Sequence, residues 1–329
     1  MAQKTVLVTG AMGCIGAWVL KHLVAQGQQV VAFDLSTDRH RLDWVMTPDE
    51  QAAITFVQGD LTDTEQVKES FKAHEVTHVV HLAALQVPFC RANPVLGAQV
   101  NVTGTVNVFE ATREAGIRHL AYASSIAVYG PASDYPARPV MHNASRAPRT
   151  LYGVYKVANE GTAQIYWQDH KISSIGLRPY TVYGVGRDQG LTSDPTKAMK
   201  AAVLGLPFHI RFSGATDFQY VRDTAFAFVS CADFAPEGAH VFNLHGETVA
   251  VDRIASLINR ESGQNLVTFG GPPIPIAAAM DDAAIRRAIG DLPATPLEIG
   301  VGETMQQFAE LHKAGRLDTS DIDQEARQP

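Results

Sequence analysis

The sequence predicts an α/β fold built on a doubly wound parallel sheet, and three observations carry that reading. Apolar runs of strand length alternate with helical stretches through the first half of the chain. Repeated units of this kind, with strands apolar along nearly their whole length, fit a parallel sheet covered on both faces. The first run, Thr5-Val6-Leu7-Val8-Thr9, meets Gly10, Gly13 and Gly16, spaced i, i+3, i+6, and then enters a helical pattern. The second, Gln29-Val30-Val31-Ala32-Phe33, ends at Asp34, 18 positions beyond Gly16.

Strands are expected at 5–9, 29–33, 54–58, 77–82, 120–124 and 172–178, with helices near 15–26, 64–73, 94–115 and 150–170. After Arg178, glycine, proline and short apolar runs dominate to about residue 250. Helical patterns return at 252–261, 281–289 and 303–313. We read residues 1–178 as a Rossmann-type nucleotide-binding domain, with later strands returning to it near 206–245. Residues 179–315 form mainly a substrate-binding lobe. Residues 316–329 are a polar tail with Asp318, Asp321, Asp323 and Glu325, expected to fray.

The glycine loop has a specific physical use. Gly10 permits a tight turn, Gly13 lets the backbone approach a pyrophosphate, and Gly16 lets helix and strand pack closely. The N–H groups at the helix start, around Cys14 and Ile15, face the anion. Asp34 lies close to the roughly 20-residue offset expected of the acid that binds the adenosine ribose hydroxyls. That carboxylate favours NAD over its 2′-phosphorylated form, and Arg39 and Arg41 nearby soften the preference.

Composition excludes other classes. The 329 residues carry a net charge of −7, which argues against nucleic acid as a partner. No apolar run approaches the roughly 20 residues of a membrane span. The chain enters its first strand at once, so no signal peptide is expected. Its three cysteines, Cys14, Cys90 and Cys231, are odd in number and far apart. That fits a reducing, cytoplasmic setting.

Chemistry concentrates at two places. Tyr152 and Lys156 are i, i+4 at the start of a helix, so they share a face. A phenol near pKa 10 is a poor base at neutral pH, and an ammonium one turn away lowers it. Ser125 closes the fifth strand, where its hydroxyl can hold a substrate oxygen beside the tyrosine.

With these residues the chain resembles the extended short-chain dehydrogenase/reductase family, in its nucleotide-sugar epimerase/dehydratase branch. The markers are Thr9-Gly10-x-x-Gly13-x-x-Gly16, Gly59-Asp60-Leu61, His81-Leu82-Ala83-Ala84 and Asn101-Val102-Thr103-Gly104-Thr105. They continue with Ser124-Ser125, Tyr152-x-x-x-Lys156, Leu177-Arg178-Pro179-x-x-Val182-Tyr183-Gly184 and Asp217-Phe218-x-Tyr220-Val221-x-Asp223. The resemblance implies that Asp60 and Leu61 contact the adenine, and that Leu82, Ala83, Ala84 and Pro179 line the cofactor. It makes Tyr152 the general acid/base and gives Lys156 the nicotinamide ribose. Ser125 takes the catalytic hydroxyl position, and Asn101 supports the proton relay or the helix that shapes it. It also implies a homodimer through helices 94–115 and 150–170.

Departures from the family pattern narrow the substrate. Thr181 and Thr216 stand where relatives carry an Asn and an Arg that hold a nucleotide diphosphate, although Arg211 and Arg222 lie close in sequence to Thr216. Ile126 and Ala127 replace the acidic pair of the dehydratases. Thr181, Gln86 and Arg187 are the substrate candidates, and an Arg fork suits a carboxylate. His74, His78 and His81 mimic a metal-ligand spacing, but two of them fall in a strand on opposite faces, and no metal is expected. The expected function is NAD-dependent hydride transfer at a hydroxyl/carbonyl of a small polar substrate, such as a sugar, sugar acid or hydroxy acid. A nucleotide-sugar 4-epimerase and a non-catalytic dinucleotide sensor are the alternatives. Intact Ser125, Tyr152 and Lys156 argue against the sensor.

Overall fold

A computed structural model describes residues 4–234 and 236–323. The chain begins β1 (Thr5–Thr9), α1 (Cys14–Ala25), β2 (Gln29–Asp34), α2 (His40–Val45), α3 (Pro48–Ala52) and β3 (Ile54–Gln58). It continues with α4 (Thr64–Ala73), β4 (His78–His81), α5 (Val87–Ala92), α6 (Pro94–Ala98), α7 (Gly104–Glu114), β5 (His119–Ala123), α8 (Leu151–His170) and β6 (Ser173–Arg178). Then come β7 (Thr181–Tyr183), α9 (Asp194–Val203), β8 (Phe208–Ile210), β9 (Ala215–Tyr220), α10 (Val221–Asp233) and β10 (Ala239–Asn243). The last elements are β11 (Glu247–Ala250), α11 (Val251–Ser262), β12 (Val267–Phe269), α12 (Ala283–Ile289), α13 (Leu297–Lys313) and α14 (Ser320–Asp323).

Seven strands form one parallel sheet in the order β10-β6-β5-β4-β1-β2-β3. The chain steps outward from β1 in both directions, so the sheet is doubly wound, as expected. Every residue of β1 is buried. Val6 and Val8 belong to the core on one face, with residues of α1 and α10, and Leu7 to the core on the other, with Phe109 and Tyr122. Successive side chains of a strand point to opposite faces, so continuous apolarity means cover on both. The order reverses between β1 and β4, where ligands bind beyond the strand ends.

Three regions differ from the sequence reading. The stretch 94–115 is interrupted by a π turn, Gln99–Thr103, between α6 and α7. The widened turn carries Asn101, fully buried, toward the loop after β4. Second, α9 and α10 lie where the sequence shows only glycine, proline and short apolar runs. In α10, Val221, Thr224, Ala225, Phe228, Val229 and Ala232 are buried at helical spacing. The helix packs on α1, and β10 pairs with β6. Third, the tail does not fray over its described part. Ile322 of α14 is fully buried, and Asp321 pairs with the buried Lys200 at 2.6 Å. Glu325 and the rest of 324–329 lie outside the described residues.

Candidate active site

The glycine loop is built for close approach. Gly10 has φ +67°, and a Cβ there would sit 2.6 Å from the Ala83 nitrogen. A Cβ on Gly16 would collide with the Gly10 carbonyl. At Gly13 a Cβ would meet only that same carbonyl, at 3.0 Å. The helix α1 starts here with no side-chain cap. Its first N–H groups are therefore left to a ligand anion. Asp34 ends β2 with its carboxylate fixed, Oδ2 accepting from Met12 N and Oδ1 from Ser36 N, each at 2.9 Å. The fit to a dinucleotide is good: a cradle that a Cβ would fill, donors for a pyrophosphate, and an oriented acid for ribose hydroxyls.

Both nearby arginines have partners within the protein. Arg41 bonds Asp188 through Nε and Nη2 (3.0 and 2.7 Å) and Met12 O through Nη1 (2.9 Å). Arg39 stacks over the Phe56 ring, 3.5 Å from its centroid.

The groove opens into one cavity of about 1310 Å³. Gly10, Gly13, Cys14, Ile15, Gly16, Asp34, Asp60, Leu61, Leu82, Ala83, Ala84 and Pro179 all line it, as do Gln86, Ser125, Tyr152, Lys156 and Arg187. Asp60 is held by a local turn, its Oδ1 accepting from Thr62 N at 2.8 Å. The Thr9 hydroxyl fixes the loop after β4, accepting from Leu82 N and Ala83 N at 3.2 and 3.3 Å. His81 is enclosed between Thr9 Oγ1 (2.7 Å) and Thr105 Oγ1 (3.0 Å). Burial pulls its pKa down to about 3, so it is a neutral core imidazole. Among the described residues, no group of three or more His, Cys, Asp or Glu is arranged to hold a metal.

Thr150 caps α8 by accepting from Gly153 N at 3.0 Å, which starts the helix so that Tyr152 and Lys156 face the cavity. Ser124 and Ser125 part company here. The Ser124 hydroxyl is buried and donates to Glu160 Oε1 at 2.6 Å, beside the Arg178 ion pair. The Ser125 hydroxyl stays at the cavity and accepts from Ala127 N at 3.2 Å.

The electrostatics differ from the spacing argument. Burial pushes the Tyr152 phenol up from its usual 10, and the groups that oppose this are Ser125 and Arg187. Lys156 is not among them. Its Nζ donates to Ala123 O at 2.7 Å and lies 5.6 Å from the Tyr152 ring centroid. Burial pulls Lys156 itself down from 10.5 to about 8, against the raising influence of Cys90 and Glu160.

Two expected site residues do not reach the cavity. Thr181 is fully buried, and its Oγ1 pairs with Thr216 Oγ1 at 2.8 Å. Its neighbours Tyr180 and Val182 line the cavity instead, because alternate residues of β7 face opposite ways. Asn101 holds the Leu85 backbone at both ends, Oδ1 accepting from Leu85 N (2.7 Å) and Nδ2 donating to Leu85 O (2.9 Å). It shapes the wall and touches no reacting position.

Two features were missed by sequence reasoning. Asp188 clasps the loop after β7 to α2, accepting from Arg41 and contacting His40 Nε2 at 2.8 Å. The partners lie 147 and 148 residues apart, and nothing local announces them. Arg149, Lys197, Arg211, Phe212 and the run Pro272–Ile276 also line the cavity. Arg211 donates there to Asp194, at 2.6 Å from Nη2. The proline-rich run was the available signal, since such a segment at a cavity mouth is a rigid wall.

A dinucleotide groove opening onto a serine, a tyrosine and a lysine defines an oxidoreductase-type site. A model of the NAD dependent epimerase/dehydratase family matches residues 6–244, and the chain belongs to that family. It is an NAD-dependent enzyme. UDP-glucuronate 4-epimerase 4 of Arabidopsis thaliana is 28% identical over 95% of this chain and 77% of its own. The NAD complex of UDP-glucose 4-epimerase from Thermus thermophilus superposes with a TM-score of 0.80. It is 25% identical, over 92% of this chain and 98% of that one. A partial consensus L-threonine 3-dehydrogenase shares the fold, with a TM-score of 0.83 at 21% identity over 93% of this chain and 99% of its own. No helix among the described residues is long and apolar enough to cross a membrane.

Proposed function

We propose that this enzyme transfers a hydride between NAD and a hydroxyl/carbonyl carbon of a small polar substrate that lacks a nucleotide diphosphate. The observation that carries the reading is the Thr181–Thr216 pair. At both positions a neutral hydroxyl is buried and turned on its neighbour, so neither offers a charged partner to a diphosphate. Charge-assisted hydrogen bonds are roughly twice as strong as neutral ones.

NAD supplies the hydride acceptor when bound, held by Gly10, Gly13, Gly16, Asp34 and the lining residues from Asp60 to Pro179 named above. The protein's own groups handle the proton. Ser125 donates to the substrate oxygen and fixes it. Tyr152 accepts the hydroxyl proton on oxidation and returns it on reduction. Its raised pKa keeps the phenol protonated at neutral pH, so reduction starts from the ready form and oxidation gains with rising pH. Lys156, anchored on Ala123 O, holds donors toward the cofactor side of Tyr152.

A second reading, oxidation and re-reduction at one carbon as in a 4-epimerase, is favoured by the names of the UDP-sugar relatives. The test separates the two. Substrate supplied with NAD should give NADH in stoichiometric amount. Micromolar binding of UDP, dTDP or GDP, with interconversion of the sugar at C4 and no NADH, would install the epimerase.

The reading extends to a homodimer. Leu151, Val154, Ala158, Gly161 and Ile165 form an exposed stripe along α8, with Phe89, Val95 and Leu96 exposed on the adjoining α5 and α6. Nothing lies within 4 Å of a Cβ at Gly161, so a second helix can approach closely there. Val154→Arg should yield a monomer by light scattering, and an unchanged mass in a folded variant would remove this interface.

A further inference from the structure

Arg187 sits on the cavity wall, half-buried, with its Nε enclosed and without a hydrogen-bond partner. Its Nη2 donates to a neutral oxygen, Thr192 Oγ1, at 3.1 Å. The acid that follows it, Asp188, is committed to Arg41 and His40. Its charge opposes the burial-driven rise of the Tyr152 phenol, which lines the same cavity. A partly desolvated cation facing a cavity is stabilised by an anion placed there.

Gln86 completes the arrangement. It precedes the first turn of α5 and lines the same cavity. A Cβ at Gly190 would collide with Gln86 Oε1 and lie 3.1 Å from Arg187 Nη2. The amide, the guanidinium and the Gly190 backbone therefore converge, on one wall of the cavity that also holds Ser125 and Tyr152. The loop brings them together because Gly184, Gly186 and Gly190 all take positive φ, and Asp188 pins its middle.

We infer that the substrate is a hydroxy acid whose carboxylate seats on Arg187 and Gln86 while its hydroxyl lies at Ser125 and Tyr152. A planar guanidinium beside an amide suits the two oxygens of a carboxylate. Around Arg187 itself the neighbours are the neutral Gln86 and Thr192, which leave its charge to a ligand. The inference rests on the hydride-transfer reading. On oxidation the carbinol C–H leaves as hydride to NAD+, the hydroxyl proton passes to the Tyr152 phenolate and on to solvent, and the carboxylate is unchanged.

The test uses the purified full chain saturated with NAD+. Binding is read by calorimetry and thermal shift, and turnover by NADH absorbance. The probes are gluconate and malonate, the neutral polyol glucitol, inorganic phosphate and UDP. Carboxylates should bind and glucitol should not. Arg187→Gln should weaken carboxylate binding about 10- to 100-fold, the range of one lost charge-assisted contact. Wild-type protein alone already decides the acid-versus-polyol comparison, should the variant fail to fold. Glucitol bound or oxidised as well as gluconate overturns the carboxylate site and leaves hydride transfer standing. Phosphate or UDP binding that depends on Arg187, without carboxylate binding, also overturns it. Carboxylate binding that depends on Arg187, with no NADH from any probe or from a wider panel of hydroxy acids, supports the subsite and sinks the hydride-transfer reading.

Discussion

Lys156→Met should remove activity while leaving the protein as stable as before, or more so. Lys156 is 2% exposed and is pulled from 10.5 to about 8 by burial. At about 1.4 kcal/mol per tenfold, holding the ammonium charged in the fold costs about 3 kcal/mol below pH 8. Methionine fills similar space without that charge. Against this, Ala123 O loses its donor at 2.7 Å, and an unsatisfied buried acceptor costs about 1–3 kcal/mol. The two nearly offset, with a tilt toward stabilisation. The pH dependence has a definite sign. Between about 8 and 10.5 the unfolded chain holds a proton on this lysine that the folded chain has released, so wild-type stability rises with pH. The variant lacks that rise. Denaturant titrations at about pH 7 and about pH 9.5 should therefore show the wild type gaining on the variant by about 2 kcal/mol. A variant destabilised by about 3 kcal/mol or more at pH 7, or a difference that does not change with pH, would refute the reasoning.

Tyr152→Phe should keep cofactor affinity and lose about 10²–10⁴ in turnover, because the ring packs as before and the exchangeable proton is gone. Cofactor titration beside steady-state rates checks this, and near-normal turnover removes Tyr152 from the mechanism. Asp34→Ala should weaken NAD use and relax discrimination against NADP. Because Arg41 is tied to Asp188, NADP should still be bound poorly, as a comparison of kcat/KM for the two cofactors would show. Asp188→Asn should destabilise by about 1–3 kcal/mol, through Arg41 and His40 left with a weaker acceptor. His40 is raised above 6.5, chiefly by Asp188, so its contribution is whole below 6.5 and fades as pH rises through the raised value. The gap between wild type and Asp188→Asn should narrow accordingly across neutral pH in thermal melts. A gap that widens contradicts the clasp.

What the sequence disclosed follows the reach of each signal. The strands of the main sheet up to Arg178 declared themselves because burial on both faces demands unbroken apolarity. The glycine loop declared itself because Gly10 and Gly16 answer steric demands that no other residue meets. Tyr152 and Lys156 lie one turn apart, so helix geometry alone put them together. The π turn at Gln99–Thr103 was invisible because it depends on Asn101 satisfying both ends of Leu85 across a loop. Helix α10 was obscured by the glycines and prolines on either side. The docking of α14 rests on Lys200, which needs Asp321 and the Trp44 and Phe308 rings, none of them near in sequence.

The same distinction separates the glycine groove from the substrate candidates. The groove is shaped largely by backbone, so it leaves glycines and strand ends in the sequence. The proposed substrate contacts are side chains on loops, whose directions are set by distant partners. Thr181 and Arg187 show both outcomes. Each was a candidate contact from its position after β6. Pairing with Thr216 turned Thr181 into the interior. Asp188 took Arg41 and His40, which leaves Arg187 facing the cavity beside Tyr152 without an acid of its own. The long-range clasp thus connects the two ends of the site. Arg41 bonds Met12 O beside the glycine loop and Asp188 in the loop that carries Arg187.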